Sequence, residues 1–83
     1  AVAHGRDGIT ANAILPGLVK THFARALWED PEALASAERD TALGRIGEPV
    51  DLAGIAVYLA SRAGRWTTGQ SFVIDGGWAI RGE

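Results

Sequence analysis

Eighty-three residues, 47% of them hydrophobic and 22% charged, describe ordinary globular material rather than a polar disordered chain. Eight basic against ten acidic residues give a net charge of −2, without the basic stripe that a nucleic-acid partner requires. No cysteine can form a disulfide, no apolar run approaches the roughly 18 residues of a membrane span, and the start lacks a signal-peptide pattern, so the expected setting is cytoplasmic.

Residues 1–8 close on Gly5-Arg6-Asp7-Gly8, a polar stop of the kind that ends a helix, so residues 1–4 read as the last turn of an element begun upstream. The absence of any Met points the same way, toward a fragment or a processed product. Residues 9–15 (ITANAIL) form an apolar run suited to a strand buried on both faces, and Pro16-Gly17 should end its backbone pairing. Asn12 interrupts that run and must find hydrogen-bond partners; it reads as a structural tie between stretches of backbone. Thr21 can cap a short helix over 22–28. Asp30-Pro31-Glu32 then starts a second helix, with a good N-cap, a proline suited to the first helical position and an acid that complements the helix dipole. That helix is only weakly amphipathic, which suggests a mobile flap over 22–44.

Gly44-Arg45-Ile46-Gly47-Glu48-Pro49 makes a turn, with Arg45 as its expected anchor, and leads into a helix over about 50–61. Leu52, Ile55, Ala56 and Leu59 give one apolar stripe, while Ala53, Val57, Tyr58 and Ala60 make the opposite side apolar too. Such a helix needs cover on both sides, from another part of the domain or from a partner subunit. Residues 71–75 predict a second short strand, stopped by Gly76-Gly77 and followed by a tail over 78–83. Strand, helices and strand make one right-handed crossover unit of a parallel α/β sheet. Two strands do not stand alone, so the expected architecture is a portion of a doubly wound sheet.

Three segments carry a resemblance. Asn12-Ala13-Ile14-Leu15-Pro16-Gly17-Leu18-Val19-Lys20-Thr21 resembles the N-x-x-x-P-G-x-V-x-T segment of short-chain dehydrogenases/reductases. Gly44-Arg45-Ile46-Gly47-Glu48-Pro49 is similar to the start of a later helix in that family, and Thr68-Gly69-Gln70 with Asp75-Gly76-Gly77 to its terminal strand. The resemblance implies the C-terminal part of a Rossmann-type domain, divided into a helix end (1–8), a strand and nicotinamide-side loop (9–21), a substrate flap (22–44), a turn and helix (45–62) and a last strand (71–77). It implies an oxidoreductase that transfers hydride between NAD(P)(H) and a small-molecule carbonyl/alcohol pair. Pro16 would close the strand, Gly17 would let a flat ring approach the main chain, and main-chain groups of Val19 with the Thr21 hydroxyl would hold the nicotinamide carboxamide. The helix start after Thr21 would turn N–H groups toward the cofactor pyrophosphate.

Phe23, Leu27 and Trp28 lie where the family places its substrate-binding loop; they read either as pocket walls or as core packing. The wording from Pro16 to Trp28 is similar to the carbonyl and retinal reductase branch, which favours NADP slightly over NAD, although the final Arg81-Gly82-Glu83 does not match the peroxisomal tripeptide found in that branch. The family's phosphate loop and its catalytic Ser, Tyr and Lys are expected before residue 1, so these 83 residues alone are expected to be inactive. Tyr58, the single tyrosine, is followed four residues later by Arg62 and not by the lysine of a Y-x-x-x-K pair, and is not the expected proton donor. His4 and His22 lack metal-ligand spacing, so no metal is expected. Trp66 and Trp78 flank the last strand, as packing groups or as subunit contacts. A homotetramer built through helix 50–61 and strand 71–75 is the implied assembly. The alternative function is a truncated interaction module without catalysis.

Overall fold

The computed structural model describes residues 1–80, so the expected C-terminal tripeptide, residues 81–83, lies outside the described residues. The chain opens with a 3-10 turn over Val2–Asp7, ended by Gly8 in the left-handed region at φ 78°. The sequence predicts a helix end there, but the element extends further than residues 1–4 and is 3-10 rather than α. After it come β1 (Ala13–Pro16), α1 (Arg25–Trp28), α2 (Pro31–Asp40), α3 (Val50–Ala60) and β2 (Ser71–Ile74), with further 3-10 turns at Arg62–Gly64 and Trp78–Ile80.

β1 and β2 pair in parallel, in the register Ala13↔Ser71 to Pro16↔Ile74, as the crossover pattern predicts. The expected strand boundaries shift. β1 begins at Ala13, not at residue 9, because the backbone of Ala11 is already engaged by the approach to β2: its N–H donates to Thr68 Oγ1 (3.1 Å) and its carbonyl accepts from Gly69 N (2.8 Å). Pairing ends at Pro16-Gly17, as expected, with Gly17 N giving the last ladder bond. The N–H groups of Ala13 and Gly17 donate to Gln70 and Ile74 carbonyls, so by the two-residue period of a ladder the proline falls where its missing N–H would point away from β2. β2 ends at Ile74 because the Asp75 carboxylate caps the 3-10 turn after it, accepting from Gly77 N at 2.9 Å and Ala79 N at 3.0 Å.

Within these residues only one face of the two-stranded sheet is covered. Ile14, Phe72 and Ile74 on one face are half-buried, whereas Ala13, Leu15, Ser71 and Val73 on the other are exposed. On α3, Leu52, Ile55 and Leu59 form the half-buried stripe, Ala56 lies outside it, and the opposite Val57 is 67% exposed. Only Val19 and Ile46 are buried hydrophobics among the described residues. The radius of gyration is 15.5 Å, against about 12 Å for a self-contained domain of this length, so the chain leaves much of its apolar surface uncovered.

α2 begins as its sequence dictates: Asp30 is the N-cap, its Oδ1 accepts from Glu32 N at 3.1 Å, and Pro31 occupies the first helical position. α1 is shorter than the expected helix over 22–28. The Thr21 hydroxyl accepts from Ala24 N (3.2 Å) and so caps the turn preceding α1 rather than α1 itself.

Candidate functional site

By the general rule for parallel α/β sheets, a ligand sits beyond the carboxyl ends of the strands. Here that edge carries Pro16 to Thr21. Gly17 passes so close to β2 that a Cβ would lie 2.9 Å from Asp75 Cβ and 3.0 Å from Asp75 Cα. The glycine is therefore required by strand-to-strand contact, a different reason from the room for a ring that the sequence suggests.

Beyond it, Val19 forms a parallel bridge with Gly47. Gly47 N donates to Leu18 O (2.9 Å) and Lys20 N donates to Gly47 O (2.8 Å), so the flanking residues make the bridge and Val19's own N–H and carbonyl point to its free side. The Val19 carbonyl accepts from Thr21 N at 2.8 Å, while its N–H has no hydrogen-bond partner among the described residues. Val19 as a whole is only 8% exposed, so its backbone is held in a fixed, buried setting.

The turn that supplies Gly47 is itself clamped. Arg45 Nη1 and Nη2 donate to the two carboxylate oxygens of Asp51 at 2.8 and 3.2 Å, and Nη1 also donates to Ile46 O at 3.1 Å. Asp51 Oδ2 further accepts from Glu48 N at 2.7 Å. The Arg45 hydrogen bonds, followed by that of Glu48 N, lower the Asp51 carboxyl from its ordinary 3.8 to about 2. Asp51 in turn raises the pKa of Arg45. Arg45 thus anchors the turn as expected, but sequence reasoning misses its partner. An acid two residues after Pro49, placed to reach back toward the helix start, is the available signal.

Among the expected substrate-side residues, the structure brings only Trp28 against the loop. Trp28 Nε1 donates to Thr21 O at 2.8 Å, and Lys20 Nζ lies 5.0 Å from the indole centroid, a cation–π distance. Phe23 is 101% exposed and Leu27 is also exposed, so neither packs into a core among the described residues. A groove of about 490 Å³ opens beside Pro16 and Gly17 on the uncovered sheet face, lined also by Leu15, Ala37, Val73 and Trp78.

Asn12 and Tyr58 belong to the opposite, amino end of the sheet. Asn12 Nδ2 donates to Thr67 O (3.1 Å) and its Oδ1 accepts from Gln70 N (3.0 Å), the backbone tie expected of it. Tyr58 Oη lies 2.7 Å from Thr67 Oγ1. Gly64 packs the turn after α3 against that helix, where a Cβ would collide with the Tyr58 carbonyl and Leu59 Cα. Among the described residues no group of three or more His, Cys, Asp and Glu side chains could hold a metal ion, and no helix is long and apolar enough to cross a membrane.

Comparison with known proteins identifies relatives of the chain as a whole. The family profile described as "Enoyl-(Acyl carrier protein) reductase" matches residues 1–79. L-rhamnose 1-dehydrogenase (NAD(P)(+)) of Azotobacter vinelandii is 48% identical over 80 residues, covering 93% of this chain and 30% of its own length. The human protein named dehydrogenase/reductase SDR family member 4 is 42% identical over 73 residues, covering 88% of this chain and 26% of its own. A structure of 4-hydroxyisoleucine dehydrogenase complexed with NADH superposes with a TM-score of 0.90 at 31% identity, covering 96% of this chain and 33% of that one. The chain thus spans about a third or less of the length of each of these relatives. With a family profile matched over residues 1–79 and a parallel-strand unit that superposes on a dehydrogenase, the chain belongs to the short-chain dehydrogenase/reductase family.

Proposed function

We propose that the protein containing these residues is an NAD(P)(H)-dependent oxidoreductase acting on a small-molecule carbonyl/alcohol pair, and that this segment forms the nicotinamide side of its cofactor site. The observation that carries the reading is the outward main chain of Val19, which offers an unpaired N–H beside a carbonyl from a buried support. A primary carboxamide has one acceptor and a pair of donors, so it matches that edge. The Thr21 hydroxyl lies two residues on and would complete the contact, while Pro16 and Gly17 shape the strand end beneath it. A nicotinamide bound here would supply the hydride acceptor or donor.

The chain's own residues bind and orient in this reading; they do not transfer the proton. Tyr58 is the single tyrosine, and its hydroxyl is engaged with Thr67 at the amino end of the sheet, so these 83 residues are proposed to be inactive alone. The dehydrogenase of A. vinelandii is named for both NAD and NADP, and the wording of residues 16–28 favours NADP slightly. Phe23, Leu27 and Trp28 would face substrate from the flap, with Trp28 the most constrained of the three. The bare side of α3, Val57 included, and the exposed Val73 on β2 support a homo-oligomer, proposed as a tetramer. A cysteine-free chain fits a cytoplasmic setting.

Calorimetric titration of the full-length protein with NADH and NADPH tests the reading. Thr21→Val should weaken the preferred dinucleotide by roughly two- to twelvefold, the loss of one hydrogen bond of about 0.5–1.5 kcal/mol. Failure to bind either dinucleotide, or an affinity indifferent to Thr21→Val, would sink it.

A further inference from the structure

The eight residues from Thr21 to Trp28 form a loop closed on itself. Thr21 ties this closure together: its N–H donates to Val19 O at 2.8 Å, its hydroxyl oxygen accepts from Ala24 N at 3.2 Å and keeps its own O–H for a ligand, and its carbonyl accepts from Ala24 N at 3.2 Å and from the Trp28 indole at 2.8 Å. α1, at four residues, is too short to hold its own shape. Phe23 and Leu27 are exposed and give it no packing, and the Arg25–Glu29 ion pair at 3.4 Å is open to solvent on both sides. What fixes the far end of the loop is therefore Trp28. The Lys20 ammonium lies 5.0 Å from its ring centroid, and the indole N–H reaches back seven residues to the main chain of Thr21.

We propose that Trp28 is a positioning residue for the nicotinamide: its indole N–H to the Thr21 carbonyl holds the Val19–Thr21 edge in its binding geometry and couples that edge to the flap. The inference rests on Val19 and Thr21 being nicotinamide contacts. It assigns Trp28 a role toward the cofactor, in addition to any contact with substrate. Removing the indole N–H leaves the Thr21 carbonyl held by Ala24 N alone, and through the Thr21 N–H to Val19 O bond it loosens the orientation of the edge itself. The adenine half of a dinucleotide has no stake in this bond.

The test compares NADH and NADPH with ADP-ribose, which lacks the nicotinamide, on the full-length protein. Trp28→Phe keeps an aromatic ring near Lys20 while removing the donor together with part of the ring's area. The preferred dinucleotide should bind roughly two- to tenfold more weakly, as expected for one hydrogen bond, with its KM rising in proportion, while ADP-ribose affinity stays unchanged. Lys20→Met, which leaves the indole bond in place, should move neither ligand by more than about twofold, a cation–π contact at an exposed site being weak. Equal weakening of dinucleotide and ADP-ribose would show that Trp28 merely holds the fold, and no weakening of either would also overturn the proposal. A wild-type protein that binds ADP-ribose as tightly as either dinucleotide, with Thr21→Val silent, would instead refute the nicotinamide reading beneath it. If Trp28→Phe does not fold, the unmodified protein still decides the matter. The ¹⁵N-indole resonance of Trp28, assigned through its scalar connectivity to the Trp28 backbone amide, should shift with dinucleotide and not with ADP-ribose, and a Trp28 signal blind to both ligands contradicts the coupling.

Discussion

The two ends of the small parallel sheet use the same materials to opposite purposes. At the amino end, Asn12, Thr67, Gln70 and Tyr58 meet in a network whose side-chain donors and acceptors are turned on one another and on the backbone. At the carboxyl end, the Val19 bridge is just as firmly held, through Gly47 and the Arg45–Asp51 clamp, yet one main-chain N–H is left facing outward. A polar group whose partners are all internal stabilises a fold; one held rigidly without a partner is ready for a ligand. On that criterion Tyr58 and the strand asparagine, both tempting as catalytic groups, are tied into the fold, while the aliphatic Val19 is the proposed binding position.

The sharpest way to break this contrast is at Asn12. Asn12→Ala strips the Thr67 carbonyl and the Gln70 N–H of their partner at once, and should lower unfolding stability by about 2 kcal/mol. Because the damage is confined to the amino end, the dinucleotide affinity of the fraction that remains folded should match wild type. Denaturant unfolding read beside calorimetric titration measures both, and a stable Asn12→Ala protein with impaired cofactor binding would reverse the assignment of the two ends.

A smaller effect is expected at Tyr58. Tyr58→Phe removes the contact with Thr67 Oγ1 and nothing else that is buried, since Tyr58 is 38% exposed, so the expected loss is about 0.5–1 kcal/mol. In the full-length protein, on the proposed oxidoreductase activity, kcat should be unchanged. A fall of several orders of magnitude in kcat would make Tyr58 the proton donor and overturn the reading of the amino end as purely structural.

What the sequence discloses, and what it withholds, divides by how local the physics is. Asp30 as N-cap, Arg45 as turn anchor, the Leu52-Ile55-Leu59 stripe and the demand of Asn12 for partners all depend on neighbours a few residues away or on a fixed periodicity. The limits of β1 are not legible because residues 9–11 look as apolar as their successors, and only the approach of Thr68 and Gly69, more than fifty residues later, decides where the ladder begins. Gly17 reads as room for a ligand because its steric partner, Asp75, lies on the far side of the crossover. Trp28 reads as an apolar wall in any one-dimensional scan, since nothing in composition shows that its N–H turns back onto Thr21.

Acid separates the two ends without any substitution. The amino-end network contains only neutral amides and hydroxyls, whereas the turn behind Val19 depends on an ionised Asp51. A carboxyl depressed from 3.8 to about 2 favours the folded state fully above about pH 4, and that contribution drains away as pH falls from about 4 toward 2. Carboxyl ¹³C titration should therefore place Asp51 near 2, and Arg45→Gln, which removes the largest cause of the depression, should return it most of the way to the ordinary range. In the same window, hydrogen exchange at the Gly47 and Lys20 amides, which carry the Val19 bridge, should quicken before exchange at Ala13 and Gln70 does. An Asp51 that titrates normally in the unmodified protein, or two ends that loosen together, would mean that the clamp does not support the bridge and that the outward edge of Val19 owes its rigidity to something else.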